Sequence, residues 1–259
     1  MKVVLFCGGL GLRLRDYSAQ VPKPMVPVGH RPIIWHLMKY YAHFGHCDFI
    51  LCLGHKADSI ESYFLGRNAR TDLDPGPGVI QADQEAARDI ETWRITCIHT
   101  GDTTNVGGRL LKVRHLLEGE QEFLANYTDV LSDVDLRGVI DGFHTSGAVG
   151  GFVAVRPTVT AHVITTDAQG MVGSIGRVAD ADIWSNGGYL IFRHAIFDYL
   201  HEGEELVEEP FRRLIAQRGL YAHKHLGFWS SMDTFKEKQL LDELCARGHT
   251  PWEVWRGAL

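Results

Sequence analysis

The stretch that decides the fold is VLFCGGLGLRLRDYSAQVPKPMVPVG, residues 4–29. Its apolar start stops at Gly8 and Gly9, and a third glycine follows at Gly11. An apolar, β-branched run that ends in glycine is typical of a buried strand in a parallel sheet. Glycines after such a strand let backbone amides approach phosphate oxygens, because no Cβ blocks them. The stretch therefore predicts a phosphate-binding loop after the first strand.

The residues after the glycines decide between kinds of loop. A dinucleotide fingerprint needs a third glycine where Leu14 stands, and a Walker A loop needs a Gly-Lys-Ser/Thr ending that is absent. The glycines alone are also compatible with a purely structural turn. Arg13 offers a fork of donors for phosphate oxygens, and Lys23 adds a point charge. Pro22 and Pro24 restrict the backbone around that lysine, so its side chain starts from a fixed position.

The chain downstream alternates between strand and helix patterns. RPIIWHLMKYYAHFG and KADSIESYFLG have helical spacing, and DFILCLG between them reads as a buried strand. This alternation predicts an α/β fold with a Rossmann-like, doubly wound, mostly parallel sheet. GGFVAVRP and a hairpin around residues 168–170 predict a small β-rich subregion. Residues 67–87 are polar and rich in Gly and Pro, which predicts an excursion or loop.

Further along, the patterns predict more elements of the same kinds. WRITCIHTG and LYAHKHLGFW are predicted strands, and EFLANYTDVLSDVDL is predicted to be a strand that runs into a polar turn. A helix is predicted after Gly107 and Gly108, a strand followed by a helix in GGYLIFRHAIFDYL, and helices in EEPFRRLIAQRG and TFKEKQLLDELCARG. No repeat or linker stands out, so residues 1–259 are predicted to form one domain.

Composition excludes several classes of partner. The chain has 259 residues, 45% hydrophobic and 22% charged, with a net charge of -6. This balance gives no bulk attraction to nucleic acid or to anionic lipid, so neither is expected as a partner. The five cysteines show no CxxC spacing, which favours free thiols. With a strand-like start and no long apolar stretch, the sequence predicts a cytoplasmic protein.

Carboxylates that follow predicted strands are the candidate metal ligands. A lone aspartate after a strand is most often a turn or capping residue, so each is ambiguous by itself. Mg²⁺ takes one or two protein carboxylates and completes its shell with phosphate oxygens and water. The candidates are Asp129, Asp133, Asp135 and Asp233.

Several segments resemble one family in the order in which it carries them. GGLGLRLR followed by VPKPMVPVG resembles the signature of the sugar-1-phosphate nucleotidyltransferases, G-G-x-G-x-R-L and then K-P-M/L. TGDTTNVGGRLLKV, SNGGYLIF, EEPFRRL, GFWSSMDTFKEK and GHTPWEVW are similar to the glucose-1-phosphate cytidylyltransferase branch. The resemblance implies transfer of a cytidylyl group from CTP to a sugar 1-phosphate, with Mg²⁺ as cofactor and a homo-oligomeric assembly. It also implies a nucleotide-binding half over about residues 1–140 and a sugar-phosphate-binding half over 141–259.

The resemblance also assigns roles to residues. It implies that Arg13 and Lys23 stabilise the triphosphate and that Asp129 and Asp233 hold the metal. The implied nucleotide-binding residues are Gly8, Gly9, Gly11, Thr100, Gly101, Asp102, Gly108 and Arg109. The implied substrate-binding residues are Arg177, Asn186, Gly187 and Glu209.

One departure from the family pattern leaves the acceptor open. The family carries E-K-P before the N-G-G segment, whereas this chain has Gly176, Arg177 and Val178. An arginine in place of a lysine changes the donor layout toward a phosphate. The alternatives are a uridylyl-, thymidylyl- or other nucleotidyltransferase, and a homologue that binds a nucleotide sugar without turnover.

Overall fold

The structure is a computed structural model that describes residues 1–8, 21–65, 83–157 and 161–257. Within these ranges eight strands form one central sheet. The strands are β1 (Val3–Phe6), β2 (Pro27–Val28), β3 (Arg31–Pro32), β4 (Asp48–Leu53), β5 (Arg94–His99), β6 (Glu122–Tyr127), β7 (Val130–Ser132), β8 (Gly150–Val155), β9 (His162–Thr166), β10 (Val172–Arg177), β11 (Ser185–Asn186), β12 (Leu190–Arg193), β13 (Leu220–His225) and β14 (Trp229–Ser231).

The central sheet is mixed and mostly parallel. Its order is β8-β12-β6-β1-β4-β5, and β11 and β13 both pair with β8. β1 is parallel to β4 and β6, β4 is parallel to β5, and β12 runs antiparallel to both of its neighbours. All four residues of β1 are buried, because this strand is covered on both faces. The predicted α/β, Rossmann-like sheet is confirmed.

Helices cover both faces of this sheet. Leu37 and Val139 belong to the apolar core on one face, and Leu110 and Leu214 belong to the core on the other. The helices are α1 (Ile33–His43), α2 (Ala57–Leu65), α3 (Gln84–Thr92), α4 (Val106–Lys112), α5 (Leu136–Ser146), α6 (Glu209–Ala216) and α7 (Phe235–Ala246). No helix in the described ranges is both long enough and apolar enough to cross a membrane.

The remaining strands form three small two-stranded sheets. β9 and β10 form the hairpin expected around residues 168–170, and β2 pairs with β3. β7 and β14 form an antiparallel ribbon with Ser231 opposite Val130. This ribbon joins two segments that are a hundred residues apart in sequence.

The structure corrects the sequence interpretation at four places. α5 follows directly on the predicted polar turn, where no helix was predicted; Asp135 caps its first turn and Gly147 ends it in the left-handed conformation. α4 begins before its glycines rather than after them, because Asn105 is the N-cap. The helix expected after β12 is a 3₁₀ turn, His194–Asp198. The predicted excursion over 67–87 ends sooner, since α3 begins at Gln84; residues 66–82 lie outside the described part.

Candidate active site

The candidate site lies at the carboxyl edge of the central sheet. β1, β4, β5 and β6 are parallel neighbours, so their carboxyl ends lie along the same edge. Gly8 follows β1 here, Thr100 follows β5 and Asp129 follows β6. Open α/β sheets bind their ligands at this edge, because loops and backbone amides converge there.

The ribbon of β7 and β14 brings two aspartates together at this edge. Asp129 stands immediately before β7, and Asp233 comes two residues after β14. Because the two strands are antiparallel, both aspartates lie at the same end of the ribbon. The Met232 amide donates to the Asp129 carbonyl at 2.8 Å, which extends the pairing to these residues.

Lys23 lies between the two carboxylates. Its Nζ donates to Asp129 Oδ2 at 2.5 Å and to Asp233 Oδ1 at 2.7 Å. Burial by itself would lower the pKa of Lys23, but the charges and hydrogen bonds of Asp129 and Asp233 outweigh it, and the pKa is raised. The lysine is therefore an ammonium that holds two like charges close together.

The backbone of Lys23 is fixed by its proline neighbours. Lys23–Met25 is a single 3₁₀ turn that begins after Pro22, and the Met25 amide donates to the Pro22 carbonyl at 2.8 Å. Pro24 is buried, so the turn is packed against the core. The side chain of Lys23 therefore leaves a rigid base toward the two carboxylates.

A capping box fixes the backbone of Asp233. The Thr234 hydroxyl accepts from the Glu237 amide, and the Glu237 carboxylate accepts from the Thr234 amide at 2.8 Å. The same carboxylate also accepts from the Asp233 amide at 2.8 Å. The T-x-x-E pattern that starts α7 thus also orients a site residue.

A buried arginine lies at the part of the edge that is predicted to bind the nucleotide. Arg109 is 1% exposed, and its Nη1 donates to Thr100 Oγ1 at 2.6 Å and to the Leu53 carbonyl at 3.0 Å. Its Nη2 donates to the Asp102 carbonyl at 3.4 Å. Burial lowers the pKa of Arg109. These hydrogen-bond acceptors are all neutral, and the charge of Asp102 acts on the guanidinium without a direct ion pair in the described ranges.

The Arg109 guanidinium can occupy its position only because residue 8 is a glycine. A Cβ at Gly8 would lie 2.0 Å from Cζ of Arg109 and 2.1 Å from its Nη1. Any larger residue would therefore push the guanidinium away from Leu53 and Thr100. Gly8 at the end of β1 and the Arg109 side chain therefore fit together.

The other predicted nucleotide residues fall into three groups. Gly101 and Asp102 lie in an exposed turn after Thr100. Gly108 lies in the first turn of α4, where its amide donates to Asn105 Oδ1 at 2.8 Å and is not free for a ligand. Gly9, Gly11 and Arg13 lie outside the described residues.

In the part predicted to bind the sugar, Asn186 ends β11, and a tight turn at Gly187 and Gly188 leads toward β12. Asn186 Oδ1 accepts from the Gly188 amide at 2.9 Å, and the Gly187 carbonyl accepts from Trp229 Nε1 at 2.8 Å. Gly188 has φ +79°, and a Cβ there would lie 2.3 Å from Asn126 Oδ1. Only glycine fits this position.

Arg177 and Glu209 lie apart from that turn. Arg177 ends β10, and its exposed side chain pairs with Asp180, Nε to Oδ2 at 2.9 Å. Glu209 starts α6, and its partly exposed carboxylate is 4.0 Å from Arg212 Nη1. No hydrogen bond or ion pair within the described ranges connects either residue to Asn186.

Asn126, near the end of β6, was missed by the sequence analysis. Asn126 is fully buried, and its Oδ1 accepts from the amides of Tyr127 and Tyr189, each at 2.9 Å. It therefore fastens the Asn-Gly-Gly turn to the strand that leads to Asp129. The signal was available, because an asparagine interrupts an otherwise apolar strand just before the candidate aspartate.

The arrangement of the two aspartates suits a divalent cation. The Lys23 ammonium, itself a cation, already contacts one oxygen of each. In the described part of the chain no group of three or more metal-ligating side chains occurs. A pair of carboxylates completed by phosphate oxygens is the donor set that Mg²⁺ prefers.

Comparison with known proteins identifies the class. Residues 2–231 match the nucleotidyl transferase family, so the chain belongs to that family. It is 33% identical to a probable glucose-1-phosphate cytidylyltransferase of Bacillus subtilis (strain 168), over 98% of this chain and 100% of the relative. It is also 33% identical to a glucose-1-phosphate cytidylyltransferase of Salmonella typhi, with the same coverage.

A solved structure supports the fold. UDP-glucose pyrophosphorylase complexed with UDP-glucose matches with a TM-score of 0.70 at 15% identity, covering 95% of this chain and 98% of that chain. At that identity the likeness shows the fold, which agrees with the mostly parallel sheet described above.

Proposed function

We propose that the protein transfers a cytidylyl group from CTP to a sugar 1-phosphate and releases pyrophosphate. The observation that carries this proposal is the Lys23 ammonium held between Asp129 and Asp233 at the carboxyl edge of the sheet. The choice of CTP and of glucose 1-phosphate, or an analogue, rests on the names of the relatives at 33% identity.

The reaction needs charge stabilisation more than acid–base chemistry. An oxygen of the sugar phosphate attacks the α-phosphorus of CTP, and the bond from that phosphorus to the pyrophosphate oxygen breaks. The attacking oxygen is already anionic, so no general base is required. Lys23, with Arg13 from the first loop, would stabilise the charge that develops on the phosphoryl oxygens.

Mg²⁺ is the cofactor that this donor set fits. Asp129 and Asp233 would hold it, and the bound ion would supply neutralisation of the triphosphate. Lys23 would then be free to turn from the carboxylates toward the phosphates, because the charges of Asp129 and Asp233 would be neutralised without it.

The other parts of the proposal rest on the resemblance. Gly8, Thr100 and Arg109 form the described part of the nucleotide side, and Asn186 and Gly187 form the described part of the sugar side. Contacts of Arg177 and Glu209 with the acceptor stay predictions, as do the single domain with two halves, the homo-oligomer and the cytoplasmic location.

The test uses two site variants and one matched control. We expect Asp129→Asn and Asp233→Asn each to lower pyrophosphate release from CTP and glucose 1-phosphate by about a hundredfold or more, since metal binding supplies several kcal/mol. Asp133→Asn is the control, because Asp133 follows the far end of β7 and pairs with His225 at 2.9 Å. Near-normal turnover in either site variant would refute the metal assignment.

A further inference from the structure

Tyr189 has a backbone conformation that a bulky residue rarely adopts. Its φ is +49°, and it directly follows Gly188, whose φ is +79°. A left-handed conformation is strained for a residue with a large side chain, and it persists only where the surrounding structure imposes it. Tyr189 is 1% exposed, so the groups that impose this conformation lie in the core.

The side chain of Asn126 holds the backbone of Tyr189. β12 pairs with β6 as far as Leu190, which lies opposite Ala125. At the next position the Tyr189 amide donates to Asn126 Oδ1 at 2.9 Å. Asn126 is fully buried, and a buried amide without an acceptor is costly. The chain therefore keeps the conformation that makes this bond.

The ring of Tyr189 is fixed in the core as well. Its centroid lies 5.1 Å from that of Tyr40 at an angle of 75°, and 6.1 Å from that of Tyr41 at 35°. Both are buried residues of α1, and the Tyr40 hydroxyl donates to the Val134 carbonyl at 2.7 Å. Relaxation of the Tyr189 backbone would therefore have to move a ring that is packed in the core.

Asn126 also fits closely against the Asn-Gly-Gly turn, residues 186–188. A Cβ at Gly188 would lie 2.3 Å from Asn126 Oδ1. Gly188 is in turn bonded to Asn186, whose Oδ1 accepts from its amide at 2.9 Å. Asn126 itself stands three residues before Asp129. One buried side chain thus connects the turn with the strand end that leads to the aspartate.

We propose that Asn126 is a positioning residue for the acceptor. By holding Tyr189 in the left-handed conformation, it sets the place of the Asn-Gly-Gly turn relative to Asp129. Asn126 acts through the turn and does not touch the substrates. This inference rests on the proposed transfer to a sugar 1-phosphate.

The test separates the two substrates. We expect Asn126→Ala to raise the KM for glucose 1-phosphate about tenfold, because the turn loses its hydrogen bond and shifts. The KM for CTP should change less than about twofold. Loss of folded protein alone would lower the rate with both substrates and leave both KM values unchanged. Equal changes in the two KM values, or none, would overturn the inference.

Glu253→Ala is the matched control for the loss of buried hydrogen bonds. Glu253 is 8% exposed, and its Oε2 accepts from Thr250 Oγ1 at 2.6 Å and from Arg256 Nε at 2.9 Å. Like Asn126 Oδ1, this oxygen accepts two hydrogen bonds. We expect Glu253→Ala to lower stability and to leave both KM values within about twofold of the wild type. A rise in the KM for glucose 1-phosphate as large as that of Asn126→Ala would contradict a specific role for Asn126.

A double-mutant cycle tests the contact with Gly188. In the wild type, Gly188→Ala places a Cβ against Asn126 Oδ1, whereas in Asn126→Ala that oxygen is absent. Gly188→Ala should therefore raise the KM for glucose 1-phosphate by a smaller factor in the Asn126→Ala background. Equal factors in both backgrounds would contradict the coupling.

The proposed function can fail separately from this inference. If the wild type releases no pyrophosphate with any pair of substrates, the transfer reaction is refuted, and hydrogen exchange then decides the role of Asn126. The Tyr189 amide should exchange at least about tenfold faster in Asn126→Ala than in the wild type, because its acceptor is gone. The amides of the β9–β10 hairpin should exchange at unchanged rates. An unchanged rate at Tyr189 would overturn the inference, whatever the outcome for turnover.

Discussion

Replacing Lys23 by methionine tests whether this lysine holds Asp129 and Asp233 together. Asp129 Oδ2 and Asp233 Oδ1 share one Nζ at 2.5 and 2.7 Å. They therefore lie at most about 5 Å apart, where two like charges at an effective dielectric constant of about 20 repel by about 3 kcal/mol. The side chain of Asp233 is 39% exposed, so solvent screens part of this repulsion. We expect Lys23→Met to lower the free energy of unfolding by about 1–2 kcal/mol at pH 8.

The loss should depend on pH and on Mg²⁺. In the variant, protonation of either carboxylate removes the repulsion between the two, so the loss should shrink as the pH falls. In the wild type the raised pKa of Lys23 keeps the lysine charged at every pH below the ordinary lysine range, so the pH dependence of the loss comes from the carboxylates. Mg²⁺ should stabilise Lys23→Met more than the wild type, because it replaces the missing cation.

Urea unfolding with and without Mg²⁺ measures both effects. Lys39→Met is the matched control, since Lys39 is similarly buried and pairs with one carboxylate, Asp89, on α1 and α3. A Mg²⁺ effect of the same size in both variants would refute the reasoning, as would a Lys23→Met protein as stable as the wild type at pH 8.

Two further predictions concern Gly8 and His36. Gly8→Ala should displace the Arg109 guanidinium, lower the free energy of unfolding by about 1–3 kcal/mol through lost buried hydrogen bonds, and raise the KM for CTP. The control, Gly138→Ala inside α5, should be neutral or stabilising. Equal melting temperatures of the two variants would contradict this prediction. Burial lowers the pKa of His36 to about 4, so the unfolded chain takes up its proton first and stability should fall by about 2 kcal/mol between pH 7.5 and 5. His36→Gln should remove that part of the pH dependence of urea unfolding, and an unchanged slope would contradict the assignment.

The sequence predicted the fold well where the signals are local. β1, β4 and the hairpin of β9 and β10 follow from apolar runs bounded by glycine or turn residues. α5 was missed although Leu136, Val139 and Phe143 have helical spacing, because the polar residues before it read as a turn. The local signal that indicates this helix is Asp135, whose side chain caps its first turn.

The site depends on contacts that local patterns do not contain. The backbones of Asp129 and Asp233 are brought together by the β7–β14 ribbon. The spacing of these residues along the chain does not specify that pairing. The resemblance supplied both aspartates. It did not supply Asn126, whose role comes from hydrogen bonds to the amides of Tyr127 and Tyr189.

The central claim is tested most directly by pyrophosphate release. The wild-type protein with Mg²⁺ is assayed with CTP, UTP, dTTP, GTP and ATP against a panel of sugar 1-phosphates. The account predicts turnover that is fastest with CTP and that requires a sugar 1-phosphate. Faster turnover with UTP or dTTP would contradict the choice of CTP as the nucleotide. Tight binding of a nucleotide sugar without any release of pyrophosphate would contradict the proposal that the protein catalyses the transfer.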